Sequence, residues 1–383
     1  MHRHPFGSYI DNSFSGELVK AYLPDLLPPS PALDMEKLYP LLTQANLAIG
    51  RLDGISINMP NISLFLYMYI RKEAVLSSQI EGTQSTLSDL LLYENNQAEG
   101  LPTSDVIEVS HYVSAMDHGL KRLSGGFPLC LRLIREMHEL LLSHGRGSTK
   151  QPGVFRKSQN WIGGTRPGNA SFVPPPWEHV ADLLKNLESF WNTQDNRIPT
   201  LIKAGLAHFQ FETIHPFLDG NGRLGRLLIT FILCADGMLI KPLLYLSLYF
   251  KTHKQSYYEH LQHVRETGDL EEWLEFFLKG IIYTAEQAAK TIQKILSLLE
   301  EDREKIKTMG KSGSSALIIH DVLHKAPIAD SKTIAKRCSL SIPSVNVSIK
   351  HLIELGIVTE VTGRSRNKIY TYKKYLDIFS EEI

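Results

Sequence analysis

The stretch His215-Pro216-Phe217-Leu218-Asp219-Gly220-Asn221-Gly222-Arg223-Leu224-Gly225-Arg226 decides how this chain is read. It opens with an imidazole, the side chain that titrates nearest neutral pH, and a carboxylate follows four residues later. The small-residue turn Gly220-Asn221-Gly222 then leads into an apolar run, Leu224 to Leu233, that reads as a helix. Glycines at a helix start let free backbone N–H groups converge on an anion, and the helix dipole strengthens that pull. Arg223 and Arg226 stand three apart, so they share the first helical turn, where planar guanidinium groups can grip phosphate oxygens. Asp219 is a hard oxygen ligand of the kind Mg2+ takes beside substrate phosphates. Taken singly, each feature has an ordinary explanation: a turn, a structural His, a solvated pair of Arg. Taken together, those explanations leave a helix start crowded with charge, set against apolar flanks that should be buried, without a reason.

Outward from this stretch the chain reads as mainly α. Apolar residues recur at helical spacing over Trp177–Trp191 and Ile198–Phe211 before it, and over Asn221–Asp236, Tyr257–Thr267 and Glu271 to about Lys307 from it onward. The same period marks Met35–Leu52, Ile62–Gln79, Ser85–Tyr93, Val106–Leu123 and Leu129–Leu142. Gly82 is placed to stop the second of these, because glycine accepts left-handed dihedrals at no steric cost. Between Gly145 and Pro176 the pattern gives way to Gly, Pro and Asn around Asn160-Trp161-Ile162 and Ser171-Phe172-Val173, which predicts a small inserted hairpin. Residues 1–34, with Pro24, Pro28, Pro29 and Pro31 close together, predict an extended arm lying on the core without regular structure. Beyond Gly310-Lys311-Ser312-Gly313, helical patterns over Ser314–His324, Ser331–Lys336 and Ile342–Leu355 precede two β-prone pieces around Gly363. Helix, turn, helix and hairpin is the winged-helix order.

At 383 residues the chain exceeds what one core usually serves, so a large domain and a smaller one are expected. Its 41 basic and 41 acidic residues balance, so bulk charge selects no partner. Cys130, Cys234 and Cys338 are odd in number and lack CxxC spacing, which argues against both a disulfide framework and a zinc site and fits a reducing cytoplasm. The apolar runs Leu227–Ala235 and Leu239–Phe250 fall well short of the ~20 residues that cross a bilayer. Met1–Asn12 carries no apolar signal core, so a cytoplasmic protein without membrane contact is expected.

The stretch from His215 resembles the signature of the Fic family, HPFx[D/E]GNGRxxR, and matches it at every specified position. The likeness extends through Arg51-Leu52-Asp53-Gly54, Met59-Pro60-Asn61 and Lys72 to Thr83, which look like the N-terminal region of the subgroup with a C-terminal winged helix. The resemblance implies a protein adenylyltransferase that moves AMP from ATP to a Ser, Thr or Tyr hydroxyl of a target protein. His215 would be the general base and Asp219 the ligand of Mg2+ (or Mn2+). The phosphates would be held by Gly220, Asn221, Gly222, Arg223, Gly225 and Arg226, with Arg226 at the γ-phosphate. Phe217 reads as a core anchor, and Tyr257 and Tyr258 as candidates for the adenine pocket. The hairpin with Asn160, Trp161, Ile162 and Gly163 resembles the family's target-positioning flap, whose strand edge would hold an extended segment. The implied organisation is an N-terminal region over 1–100, a catalytic core over 101–285, a connecting helix over 286–310 and a winged-helix domain over 311–383, in a homodimer.

Ser77-Ser78-Gln79-Ile80-Glu81-Gly82 fits the family's inhibitory pattern [S/T]xxxE[G/N]. A carboxylate at a helix end, where the dipole disfavours negative charge, wants a cation, and Arg226 would supply it. Ser77, Glu81 and Gly82 would then form a brake, although the same carboxylate could instead orient a water that removes AMP. In the last segment basic residues outnumber acidic ones: Lys311, Lys325, Lys332, Lys336, Arg337, Lys350, Arg364, Arg366, Lys368, Lys373 and Lys374 against Asp321, Asp330, Glu354 and Glu360. That balance is compatible with DNA phosphates and with protein docking alike. The rival to an enzyme is therefore a winged-helix regulator, transcriptional or of the toxin-antitoxin type, whose Fic fold only senses nucleotide.

Overall fold

The computed structural model describes residues 5–14, 16–57, 59, 62–94, 103–145, 147–193, 197–310, 313–324, 326–364 and 367–380. Expectations placed on Pro60, Asn61, Lys311, Ser312, Lys325 and Arg366 lie outside them. The chain divides into two compact units, one of residues 1–53, 73–85 and 102–285, the other of residues 54–72, 86–101 and 286–383.

The first unit begins with a β-hairpin, where an arm without regular structure was expected. β1 (Gly7–Phe14) pairs antiparallel with β2 (Glu17–Pro24), Asp11 opposite Lys20, and Gly16 takes a φ of +79° at the turn. The closely spaced prolines begin only where β2 ends. Before them Val19 and Ala21 point inward while Leu18 and Lys20 face solvent, the period of two that a half-buried strand requires. Val19 and Ala21 cluster with Val173, and the Tyr22 N–H donates to the Val173 carbonyl at 2.9 Å, so the hairpin braces the predicted flap.

The rest of this unit is helical: most of α1 (Met35–Ser56), the end of α2 (Ile62–Ile80), α4 (Thr103–Ser124), α5 (Leu131–Leu141), α6 (Trp177–Trp191), α7 (Thr200–Ile214), α8 (Asn221–Ala235), α9 (Ser247–Thr252), α10 (Lys254–Thr267) and the first turns of α11 (Leu270–Lys307). In the second unit lies α3 (Leu87–Glu94). α7 is buried from Leu201 to Ile214, and α8 nearly throughout, because their sequences are apolar on every side and must pack all round. Lys203, the cation buried in α7, is satisfied by the Thr193 carbonyl at 3.0 Å and Asp236 at 2.8 Å. Gly205 leaves room for Leu274 and Phe277, while its carbonyl accepts from Trp273 Nε1 at 3.0 Å. These two central helices hold the 215–220 loop between them.

The second unit contains α12 (Gly313–Leu323), β3 (Ile328–Asp330), α13 (Ser331–Cys338), α14 (Ile342–Glu354), β4 (Thr359–Glu360), β5 (Ile369–Thr371) and α15 (Lys373–Ser380). β5 lies between β3 and β4, antiparallel to both. α12, α13, α14 and the β4–β5 pair are the elements on which the winged-helix expectation rests, and β3 adds a strand that the sequence did not predict. Among the described residues no helix is long and apolar enough to cross a membrane.

Candidate active site

α7 ends at His215, whose backbone takes the left-handed conformation (φ 49°, ψ 60°), an uncommon choice for a non-glycine residue. Arg156 explains how it persists. Its guanidinium is buried and donates to the carbonyls of His215 (2.9 Å), Pro175 (2.6 Å), Ile214 (3.2 Å) and Ser158 (3.2 Å), and its own N–H reaches the Pro216 carbonyl (2.9 Å). Burial, with the Arg156 charge beside it, pushes the His215 pKa down to about 4, so the ring is neutral at pH 7. Its Nδ1 is buried and faces the Glu212 backbone carbonyl, which favours a proton on that nitrogen and only partly offsets the lowering.

The loop continues through Phe217, fully buried and stacked on the His138 ring at 3.7 Å. Asn221 closes it: its Oδ1 accepts from the Phe217 N–H (2.8 Å) and its Nδ2 donates to the Phe217 carbonyl (2.9 Å). His138 adds a second clamp. Its Nδ1 accepts from the Gly153 N–H at 2.8 Å, which places the ring proton on Nε2, where it donates to the Asp219 carbonyl at 3.0 Å. Burial lowers the His138 pKa to about 4, which keeps that tautomer at neutral pH.

Gly220, at φ +77°, opens α8, and the first intrahelical bond runs from the Leu224 N–H to the Gly220 carbonyl (3.1 Å). The N–H groups of Asn221, Gly222 and Arg223 precede that bond and point out of the helix start. The Gly220 N–H is engaged by Asp219 Oδ1 at 2.6 Å, so the cradle consists of the three that follow. Asp219 is a third exposed, and a Cβ on Gly147 would come within 2.7 Å of its Oδ2, so only a glycine keeps the space beside that oxygen clear.

Arg226 lies buried in the first turns of α8. Nε donates to Ser77 Oγ (2.8 Å), and Nη2 donates to the Ser77 carbonyl (3.0 Å) and to Glu81 Oε1 (2.8 Å). Glu81 follows the end of α2, and Gly82 takes a φ of +101° there. Burial favours the protonated Glu81, but the charge and hydrogen bond of Arg226 outweigh it and hold the carboxyl below its ordinary range. A Cβ on Gly222 would lie 2.4 Å from Glu81 Oε1, so this approach requires a glycine at the helix start.

Among the expected nucleotide contacts, the Arg223 side chain, Gly225 and Tyr257 are placed otherwise. Arg223 is buried, with Nη1 on Glu108 at 2.6 Å and Nη2 3.7 Å from Asp219 Oδ1; it steadies the loop from behind. Gly225 faces α7, where a Cβ would come within 2.2 Å of Glu212 Oε1, and its carbonyl meets His208 Nδ1 at 2.9 Å. Tyr257 is a core residue, its hydroxyl 2.9 Å from His208 Nε2, because spacing along α10 turns it inward; Tyr258 beside it is 42% exposed and remains available to a flat ring.

The flap is slighter than a hairpin. Ile162 and Phe172 exchange both backbone hydrogen bonds (2.8 and 3.1 Å) in a single bridge, Gly163 and Gly164 turn at positive φ, and residues 167–169 form a short helical turn. Asn160 ties it to the loop by donating to the Phe217 carbonyl at 3.0 Å, and Trp161 is 37% exposed. Arg265 stacks over the Phe172 ring at 3.7 Å and fixes the flap's root. Arg156, His138, Glu108 and Arg265 carried no sequence signal, since each acts on a residue far away along the chain.

One loop thus carries a neutral imidazole at one end and, at the other, a helix start whose first N–H groups lie outside the intrahelical bonds. Residues 39–121 match the Fic/DOC family N-terminal region and residues 128–233 match the Fic/DOC family, and the chain belongs to this family. The protein adenylyltransferase Fic of Aedes aegypti is 33% identical over 149 residues, 39% of this chain and 27% of that protein. Protein adenylyltransferase fic-1 of Caenorhabditis elegans is 28% identical over 182 residues, 47% of this chain and 31% of that protein. The adenylyltransferase Fic of Drosophila grimshawi is 28% identical over 200 residues, 51% of this chain and 38% of that protein. The matched stretch thus spans well under two thirds of these relatives. Among solved structures, a Fic family protein from Desulfovibrio desulfuricans G20 superposes with a TM-score of 0.59 at 19% identity, covering 90% of this chain and 98% of that one. A Fic-1 fragment from C. elegans gives 0.50 at 22% identity, covering 69% and 75%. Both likenesses speak to the fold alone.

Proposed function

We propose that the chain is a protein adenylyltransferase that transfers AMP from ATP to a Ser, Thr or Tyr hydroxyl of a protein, and that Glu81 restrains it. The loop between α7 and α8 carries this reading: it holds a neutral imidazole beside the N–H cradle of Asn221, Gly222 and Arg223. With the proton on the buried Nδ1, Nε2 of His215 is the nitrogen left to accept the hydroxyl proton. The hydroxyl oxygen then bonds to the α-phosphorus as the bond to the bridging oxygen breaks, and pyrophosphate leaves. Asp219, a hard oxygen donor whose side chain is a third exposed, fits Mg2+ (or Mn2+), which when bound would offset phosphate charge. The exposed Tyr258 offers its ring to the adenine, and the bridge at Ile162 offers an edge to the target segment.

The restraint follows from occupancy. Arg226 Nη2 is held by Glu81 against Gly222, so the guanidinium that would meet the γ-phosphate is already paired. A nucleotide-sensing regulator would not need His215, which favours the enzymatic reading over it. The test is incubation with ATP labelled in the α-phosphate and Mg2+. Glu81→Gly is expected to raise self-labelling more than about tenfold, equivalent to about 1.4 kcal/mol in the barrier. In the same background His215→Ala is expected to lower it by about 10²-fold or more. Equal labelling of wild type and Glu81→Gly would remove the brake from the proposal; no label on any variant or added protein would remove the transfer.

A further inference from the structure

Away from the loop, four metal-ligating side chains meet where α10 passes into α11. His260 and His263 stand three apart on α10 and so share one side of it. Glu272, in the first turn of α11, reaches back to both: Oε1 lies 3.4 Å from His260 Nδ1 and Oε2 lies 3.1 Å from His263 Nε2. Asp269, in the connection, brings a carboxylate oxygen within 4.8 Å of the ligand atoms of His263 and Glu272. Its backbone is fixed, because its N–H donates to Thr267 Oγ1 (3.1 Å) and its Oδ1 caps the Glu272 N–H (3.0 Å). His260, His263 and Glu272 border a surface cavity of about 360 Å³ shared with Ser256 and Glu259.

We propose that His263, Asp269 and Glu272 form a zinc-binding site, with His260 beside it on the other oxygen of Glu272. Ligands 2.0–2.1 Å from a tetrahedral Zn2+ stand about 3.3–3.4 Å from one another, and the His263–Glu272 separation of 3.1 Å is close to that spacing. Imidazole nitrogens with carboxylate oxygens suit Zn2+, whereas Mg2+ takes oxygen alone. The side chains of His260, His263 and Glu272 are 22%, 40% and 48% exposed, so an ion can enter from solvent. The cysteine spacing that spoke against zinc has no bearing on ligands of this type. A bound ion would clasp α10, which carries Tyr257 and Tyr258, to the first turn of α11. None of the four residues takes part in the proposed transfer, so the site stands or falls independently of it.

The test is calorimetric titration of the chelator-stripped full chain with Zn2+, in an Asp219→Ala background that removes the loop carboxylate. One equivalent per chain is expected, weakened more than about tenfold by His263→Gln or Glu272→Gln, at least the loss that outer-shell changes produce. Zn2+ should also raise the melting temperature of the parent chain and not of the variants. In the unsubstituted chain, Co2+ should give the visible absorption of a tetrahedral site. No zinc uptake, or uptake indifferent to both substitutions, would overturn the proposal and leave plain hydrogen bonds between His and Glu272; so would Co2+ spectra of a purely octahedral ion.

Discussion

At the scale of single residues, the site is a set of pKa values tuned by burial. His215 is pushed down to about 4, so protonation costs the base only as pH falls through that value. For AMP transfer by Glu81→Gly, kcat/KM is therefore expected to be free of any His215 limb from about pH 8 to 6 and to lose about tenfold per unit below about pH 4. A limb near 6.5 would mean that the ring is solvated. Glu212, lifted to about 7 by burial, titrates closer to neutrality, and repeating the profile in Glu212→Gln separates it from the ring. His215, Asp219 and Arg226 could be picked out from spacing. Arg156 and His138 could not, because they hold His215 and Asp219 across 59 and 81 residues and no local pattern records such a contact.

At the scale of elements, glycines set how closely α7 and α8 approach. Gly225→Ala would drive a Cβ to 2.2 Å from Glu212 Oε1 and 3.2 Å from Phe211, and is expected to destabilise the first unit by about 1–3 kcal/mol in urea unfolding. Gly50→Ala on the exposed side of α1 meets nothing within 4 Å and should stabilise by about 0.5–1 kcal/mol. Equal effects would show that α7 and α8 have slack. The long helices were legible in the sequence because their period repeats over several turns. β3, with three residues, and the single bridge of the flap are too short to show any period. The N-terminal hairpin was masked by the prolines behind it, although the alternation of Val19 and Ala21 was there to read.

At the scale of the whole molecule, buried histidines set the response to acid. His138, His208 and His215 in the first unit, and His320 and His324 in the second, are lowered to between about 3 and 4, burial being the main cause. The unfolded chain takes up these protons first, so their contribution is lost as pH drops from about 6.5 towards 4. Glu73 and Glu212, both in the first unit, are raised to about 7, and their opposite contribution is lost as pH rises from about 4.5 to 7. The first unit thus has opposing groups, and the second has none among these to offset its histidines. All four tryptophans, Trp161, Trp177, Trp191 and Trp273, lie in the first unit. Acidification towards pH 5 is therefore expected to lower helical circular dichroism before tryptophan fluorescence shifts. A simultaneous change would show that the two units unfold together. Which helices group with which unit was not legible, since period reveals that a face is apolar but not what covers it.

The closeness of Glu81 to Gly222 confines how a variant can escape the restraint. The oxygen rests 2.4 Å from where any larger side chain at 222 would begin, at the same backbone that would cup the phosphates. Bulk introduced at 222 would evict the acid and spoil the cup in one stroke, so that position offers no gain. Liberation by a single change has to come from the far partner, at 81, where the cradle is left untouched.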